Sequence, residues 1–216
     1  MIELYDFELS SACYKVRLLA AILGVPHAIV PVDVYPGRQH ETPMFAELNP
    51  LREVPVMVEA DSVLCGAHPI LCHLAARFDT SRAFLPSDDP LLLGQVMQWL
   101  DFADRLAATA GAARLHENLF FRADIEACRA DAHRLLRLLD AHLWFAEAAG
   151  QDWLCPASAP TLADIACFPD VILCEEGGIS RQDYPAVRRW TDRVKRIPGF
   201  TPMSGVFLAG LAKATR

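Results

Sequence analysis

The chain has 216 residues, of which 53% are hydrophobic, so it can bury one large or two modest cores and is not expected to be disordered. A formal net charge of -7 at pH 7 argues against nucleic acid or an anionic membrane as the main partner, because both attract basic surfaces. The first residues lack the basic and apolar segments of a secretory signal, and charges or prolines interrupt every long apolar run. We therefore expect a soluble, cytoplasmic protein.

The seven cysteines are odd in number and lie mostly within apolar helical patterns. No two of them have the C-x-x-C spacing of zinc sites or redox dithiols, and no paired His and Cys cluster suggests a metal cage. We predict reduced thiols, mostly buried as small apolar side chains, and no bound metal.

Strand and helix signals alternate in the first third of the chain. In order, they predict a strand over residues 2–7, a helix from Cys13 to Gly24, a strand over residues 27–34, a short helix capped by Thr42-Pro43, a hairpin over residues 54–58 and 63–65, and a helix over residues 69–77. This order predicts a small mixed α/β domain over residues 1–80.

A polar stretch over residues 81–90, with two prolines, serves as a boundary. Strand signals disappear after it, which predicts a second, all-helical domain over residues 87–216. Its helices are predicted over residues 91–115, over residues 124–149, from a capping box at Thr161-Asp164, and from Tyr184-Pro185 to Pro198-Gly199.

Several separated segments resemble, in the right order, those of the cytosolic glutathione transferase superfamily, and together they span nearly the whole chain. They are Leu4 through Arg17 with its Ser10-Ser11-Ala12-Cys13 run, Gly37 through Phe45, Leu48-Asn49-Pro50, Val54-Pro55-Val56, Ala159 through Ala166, and Tyr184 through Phe200. The first segment is similar to serine-type members, notably the zeta class. The resemblance implies a thioredoxin-like, glutathione-binding N-terminal domain followed by an all-helical C-terminal domain.

By this resemblance, the chemistry lies at the start of the first helix. Ser10 aligns with the residue that hydrogen-bonds the glutathione sulfur, and Ser11 is a second candidate one residue away. A thiol reacts as its thiolate, and a helix N-terminus favours an anion by about 0.3–1 kcal/mol. A serine hydroxyl at that position adds a directed donor.

Cys13 supports a different mechanism. Its own thiolate, acidified by the same helix terminus, would attack a disulfide or form a mixed disulfide with glutathione, as in a glutathione-dependent disulfide reductase or peroxidase. The zeta-like alignment places Cys13 away from the main catalytic serine, so a buried structural thiol is the competing interpretation.

The resemblance also implies where glutathione binds. His40 and Arg52 align with positions that hold its glycyl carboxylate. Val54–Pro55 is expected to be a cis peptide, with the Val54 backbone pairing with the cysteinyl backbone of glutathione like an added strand.

The main departure from the family lies at the γ-glutamyl corner. The usual acidic residue and serine are replaced by Gly66 and Ala67, and the missing hydroxyl removes a charge-assisted bond worth about 1.5–3 kcal/mol. We expect His68 beside them to be an exposed turn residue.

In this superfamily the second substrate, here a small hydrophobic electrophile, lies between the domains against the first long C-terminal helix. Leucines and aromatic residues at helical spacing are more often core than pocket, so no residue is singled out. Those on or just past this helix are Trp99, Phe102, Arg105, Leu106 and His116.

The leading interpretation is therefore a homodimeric glutathione transferase, or a zeta-like isomerase that uses the same site, with glutathione as co-substrate. A non-catalytic binding or interaction protein of the same fold is the alternative from another class, because fold does not fix function.

Overall fold

The computed structural model describes residues 1–204, so the end of the predicted C-terminal domain, residues 205–216, lies outside the described residues. Four strands form one mixed sheet in the order β2-β1-β3-β4. They are β1 (Ile2–Asp6), β2 (His27–Pro31), β3 (Val56–Glu59) and β4 (Ser62–Cys65). β1 is parallel to β2 and antiparallel to β3, which is antiparallel to β4.

Two of the three helices that accompany the sheet begin at a side-chain cap, Ser10 for the first and Thr42 for the second. The three helices are α1 (Ser11–Ile22), α2 (Pro43–Leu48) and α3 (Ala67–Phe78). α1 stops before Gly24, whose φ of +63° lets the chain turn toward β2. At α2 the Thr42 hydroxyl accepts a hydrogen bond from the Phe45 amide at 3.3 Å, which is the predicted cap.

The strand register brings three chain segments to one edge of the sheet. Tyr5 pairs with Val56, and Val56 pairs with Cys65. The end of β1, the start of β3 and the end of β4 are therefore neighbours. Because α1 follows β1 and α3 follows β4, both helices begin at this edge as well.

From residue 90 onward, the described residues form helices and loops only. The α-helices are α4 (Pro90–Leu106), α5 (Ala112–Leu119), α6 (Ile125–Ala148), α7 (Leu162–Ile172) and α8 (Pro185–Val194). A π-helical segment, Ala107–Gly111, joins α4 to α5, so the helix predicted over residues 91–115 continues to Leu119. The predicted fold class, an α/β layer followed by an all-helical half, is confirmed.

α7 lies at the centre of the helical half, with nearly every residue buried. Its predicted capping box is confirmed: the Asp164 carboxylate accepts from the Thr161 amide at 2.9 Å. The same carboxylate accepts from the Leu154 amide at 3.1 Å and from the Trp190 indole at 2.8 Å. One buried acidic side chain thus joins three segments of the helical core.

Buried polar contacts connect the two halves of the chain. Lys15 in α1 lies 2.9 Å from Asp170 in α7, and both side chains are almost fully excluded from solvent. The Tyr14 hydroxyl donates to the Thr201 carbonyl at 2.8 Å. The start of α1 is therefore fixed against the helical half.

All seven cysteines are free thiols, and Cys13, Cys155, Cys167 and Cys174 are buried, as predicted for most of them. Within residues 1–204, no helix is long and apolar enough to cross a membrane. The described part of the chain also contains no cluster of three or more His, Cys, Asp or Glu residues that could hold a metal ion.

Candidate functional site

Ser10 is the N-cap of α1. Its hydroxyl oxygen accepts a hydrogen bond from the Cys13 amide at 3.2 Å, and its own amide donates to the Phe7 carbonyl at 2.9 Å. Capping uses an acceptor lone pair and leaves the hydroxyl proton available for donation. The half-buried Ser10 side chain can therefore cap the helix and donate to an anion at the same time. Ser11, the first residue of α1, is also half-buried.

Cys13 is completely buried, and its sulfur accepts a hydrogen bond from the Phe7 amide at 3.4 Å. Burial is the main cause that raises the pKa of the Cys13 thiol to about 12, and the nearby Asp6 carboxylate adds to this effect. The helix terminus does not offset this desolvation. The geometry favours the structural interpretation of Cys13 over the reactive one.

The β1–α1 loop, residues 7–10, is held from both halves of the chain. Arg17 in α1 donates to the Glu8 carbonyl at 2.9 Å. Arg114 in α5 donates to the Leu9 carbonyl at 2.6 Å. A cavity of about 600 Å³ borders the loop on its Phe7–Glu8 side.

Asn49 organises the turn that leads into the Val54–Pro55 segment. Its buried side chain donates to the Glu53 carbonyl at 2.8 Å and accepts from the Leu51 amide at 3.0 Å. The Val54–Pro55 peptide is cis, as the resemblance implies. Within residues 1–204 the backbone groups of Val54 form no hydrogen bond. The sequence signal for the turn before it is Asn49, which follows a helix and precedes a proline.

Gly66 and Ala67 start α3 at the same sheet edge. The Gly66 amide donates to the Pro55 carbonyl at 3.0 Å, which joins this corner to the Val54–Pro55 segment. Gly66 has a φ of +90° and, as the N-cap of α3, provides no capping side chain. The first amides of α3 are thus left without a side-chain acceptor.

The expectation of an exposed turn residue at His68 is wrong. His68 lies in α3, and its partly buried ring places Nδ1 3.6 Å from the carboxylate of Asp104 in α4. Burial is the main cause that lowers the pKa of His68, and the neighbouring Lys15 charge adds to it. Local sequence could not show this position because the partner lies in the other half of the chain.

His40 and Arg52 lie in the connection between β2 and β3. His40 belongs to a short 3-10 helix, Gln39–Glu41, and its buried Nδ1 forms no hydrogen bond within residues 1–204. Arg52 is exposed and has a φ of +56°. A hydrogen bond from Arg38 is the main cause that lowers the pKa of Glu41, and the charges of His40 and Arg52 contribute, so both lie near this carboxylate.

The residues noted on the first long C-terminal helix do not gather in one place. Trp99, Phe102 and Arg105 line a cavity of about 380 Å³ between α4 and α6. Leu106 is core, and His116 in α5 bonds through Nδ1 to the Phe121 carbonyl at 2.9 Å. Trp99 and Phe102 therefore face a groove within the helical half.

An aromatic contact that local sequence does not indicate bridges the two halves. Tyr35, after β2, and Phe121, after α5, have ring centroids 6.4 Å apart, and both side chains are partly exposed. Apolar rings from both halves are thus available to contact a ligand between them.

A thioredoxin-like layer that opens on a capped helix, followed by a helical half, is the arrangement of a cytosolic glutathione transferase. A family model described as "Glutathione S-transferase, N-terminal domain" matches residues 9–77. The chain is 37% identical over 86 residues to "Glutathione S-transferase 1" of Dianthus caryophyllus, which covers 40% of this chain and 38% of that protein. The first curated relatives are matched over little more than a third of their length, 38%, 38% and 36%.

Longer matches extend over the helical half. The chain is 26% identical over 218 residues to "Maleylacetoacetate isomerase" of Pseudomonas aeruginosa, covering 92% of this chain and 93% of that protein. A crystal structure of a possible glutathione S-transferase from Rhodopseudomonas palustris superposes with a TM-score of 0.83 at 28% identity, covering 94% of this chain and 97% of that one. Over both halves, the chain is thus similar in sequence and in structure to cytosolic glutathione transferases.

Proposed function

We propose that this protein is a glutathione transferase in which the Ser10 hydroxyl donates a hydrogen bond to the glutathione thiolate. The observation that carries the proposal is the state of Ser10: it caps α1 through its oxygen and keeps its proton for a ligand. The amide dipoles of α1 add positive potential at the same point. The thiolate then attacks an electrophilic carbon, forming the C–S bond as the leaving group departs or as the electrons move into the acceptor.

Glutathione would lie along the sheet edge that collects Val54–Pro55, Gly66 and the start of α1. The unbonded Val54 backbone supports pairing with the cysteinyl part of the tripeptide. His40 and Arg52 would hold the glycyl carboxylate, and the open amides at Ala67 would meet the γ-glutamyl end. On this proposal, residues 1–80 form the glutathione-binding domain and residues 87–216 form the all-helical domain.

A zeta-like isomerisation is the second reaction that the same site would support. It is favoured by the match to the maleylacetoacetate isomerase, which extends over both halves of the chain. In that reaction the thiolate adds to a conjugated double bond, the bond rotates, and the thiolate leaves again, so no atom of glutathione remains in the product.

We further propose that the partner substrate is a small hydrophobic electrophile that contacts Tyr35 and Phe121. The homodimeric state and the cytoplasmic location belong to the same proposal. Size-exclusion chromatography with light scattering tests the first, and cell fractionation tests the second.

Calorimetric titration with glutathione tests the proposed function directly. We expect binding in the micromolar to millimolar range, and absence of heat at millimolar glutathione would support the non-catalytic alternative instead. Turnover of a chlorinated nitrobenzene should fall sharply in Ser10→Ala, because removal of one directed donor to a developing anion costs about 10²–10³-fold.

The matched controls are Ser11→Ala and Cys13→Ala. Cys13→Ala should keep most of the turnover, because Cys13 is buried and protonated. Ser11→Ala should also keep most of it, because the proposal assigns the donor to the hydroxyl of Ser10. Loss of turnover in Cys13→Ala with an active Ser10→Ala would favour the disulfide reductase or peroxidase.

A further inference from the structure

Arg114 is a buried arginine whose side chain joins three parts of the fold. It lies in α5 and is only 3% exposed. Its Nε donates to the Glu176 carboxylate at 2.6 Å, and its Nη1 donates to the Leu9 carbonyl at 2.6 Å. A planar guanidinium can bond two partners in fixed directions at once, so the position of Glu176 determines where the Leu9 carbonyl is held.

The position of Glu176 is itself fixed by close packing. It lies in a 3-10 helix, Cys174–Gly177, that approaches the α5 backbone so closely that a Cβ on Gly177 would come within 2.8 Å of the Arg114 amide nitrogen. The Asn118 side chain donates to the Glu176 carbonyl at 3.0 Å and to the Arg114 carbonyl at 2.9 Å. Contacts within the helical half therefore fix the positions of Arg114 and Glu176 independently of the β1–α1 loop.

The β1–α1 loop has three carbonyl groups before Ser10, and each accepts a hydrogen bond. The Phe7 carbonyl accepts from the Ser10 amide, and the Glu8 carbonyl accepts from Arg17 within the same half of the chain. The Leu9 carbonyl accepts from Arg114, which lies in the other half. Leu9 shares a peptide unit with Ser10, so this bond orients the group that begins the cap of α1.

We propose that Arg114 is a positioning residue for Ser10. It fixes the Leu9–Ser10 peptide from the helical half, so that the Ser10 hydroxyl points its proton toward the bound sulfur. Arg114 acts through the peptide and does not touch the tripeptide. This inference rests on the proposed function for its catalytic consequence, whereas its structural part concerns the loop alone.

The test is a double variant, Arg114→Met with Glu176→Met. A single substitution would leave one buried charge without its partner and would endanger folding. The double variant removes both charges, keeps unbranched side chains of similar length, and removes the hydrogen bond to the Leu9 carbonyl. Arg114→Lys is the conservative companion, because a lysine keeps the charge and a donor but lacks the fork that bridges both partners.

The first readout is hydrogen exchange without glutathione. We expect the Ser10 and Cys13 amides, which are bonded to the Phe7 carbonyl and the Ser10 hydroxyl, to exchange at least tenfold faster in the double variant. The β1 and β3 amides should keep their protection. Unchanged exchange at Ser10 and Cys13 would overturn the proposal even if the protein never binds glutathione.

The second readout is the ionisation of the bound glutathione thiol, which is measured as thiolate absorbance against pH. We expect the midpoint to move upward in the double variant and kcat/KM at neutral pH to fall about tenfold, within the hundredfold that a misplacement of about 1 Å can cost. Binding of S-methylglutathione, which has no thiol proton, should change less than twofold. Arg114→Lys should show only part of this upward shift of the midpoint.

The matched control is Glu175→Gln. It breaks the ion pair between Glu175 and Arg181 at the same 3-10 helix without reaching Leu9. Its loop exchange and thiolate midpoint should equal those of the unmodified protein. A thiolate midpoint that stays fixed in the double variant, while glutathione still binds, would contradict the catalytic part. Failure of glutathione to bind the unmodified protein would remove the proposed function and leave the exchange result to decide the rest.

Discussion

Lys15 of α1 and Asp170 of α7 form an ion pair across the two halves of the chain, with Nζ 2.9 Å from Oδ2. Gly111, in the π-helical segment, lies against the same carboxylate: a Cβ there would come within 2.9 Å of Oδ1. The pair is therefore enclosed on the helical side by backbone and on the other side by α1. It secures the helix whose first residues form the candidate site.

Replacing Lys15 with Met should destabilise the protein by about 3–5 kcal/mol, because the Asp170 carboxylate would stay buried without its counter-charge. The double variant Lys15→Met with Asp170→Asn should recover much of this loss, since no charge is then buried. Urea unfolding of both proteins measures the difference. Equal stability of the single and double variants would show that the pair is not coupled.

Replacing Asp164 with Ala should cost at least about 3 kcal/mol, because hydrogen bonds to a buried charged group contribute about 1.5–3 kcal/mol each. Three nitrogen donors would lose their acceptor, the amides of Leu154 and Thr161 and the indole of Trp190, and so would the Thr161 hydroxyl. Thermal unfolding measures the effect. The control is Asp192→Ala, which removes an exposed pair with Lys195 and should change little.

Cys13 should react slowly with iodoacetamide near neutral pH, because burial raises its pKa to about 12 and keeps it protonated. The folded protein also loses stability from this thiol as pH rises from about 9 toward 12, since the unfolded chain ionises first. Peptide mapping of alkylated protein, folded and in urea, measures the rate. Equal rates in the two states would contradict the buried position.

Ala67→Ser should strengthen glutathione binding up to about tenfold, which corresponds to 1.4 kcal/mol. It places a hydroxyl beside the open amides of α3 on a helical backbone that accepts any residue. Gly66→Glu is the poorer substitution, because a φ of +90° strains every residue except glycine. Calorimetry compares Ala67→Ser with Ala76→Ser on the exposed side of α3, which should leave affinity unchanged.

Phe121→Ala should raise the KM for an apolar aromatic electrophile several-fold without changing the KM for glutathione. An aromatic contact of this kind contributes about 0.5–1.5 kcal/mol beyond the area that it buries. Phe120→Ala is the neighbouring control, since that ring is 77% exposed. Steady-state kinetics with a chlorinated nitrobenzene separates the two; equal effects would show that the ring next to Tyr35 has no special role.

The fold was accessible from sequence where periodicity and caps act locally. Thr42-Pro43 and the Thr161-Asp164 box begin helices as predicted, because their hydrogen bonds lie within one turn. β2 ends at Pro31 although the apolar pattern continues to Val34, since pairing with β1 stops there. The π-helical segment, Ala107–Gly111, leaves no sequence signal of its own.

In the candidate site, too, sequence predicts the local contacts and misses the long-range ones. The cap at Ser10 follows from a serine before an apolar helix, whereas the hold of Arg114 on Leu9 joins residues 105 positions apart. Lys15 gave a usable signal, because a lysine among the buried residues of α1 requires an acidic partner elsewhere. Only the three-dimensional structure identifies that partner as Asp170.

The dependence of α1 on Asp170 limits how this protein can be recombined with its relatives. A hybrid that joins residues 1–80 to a foreign helical half inherits a lysine inside the seam between the two parts. In such a hybrid, a donor half without a carboxylate opposite that lysine would leave its charge buried and unpaired, which costs about 3–5 kcal/mol. Matching this one position is therefore the first criterion for choosing parents in domain exchange.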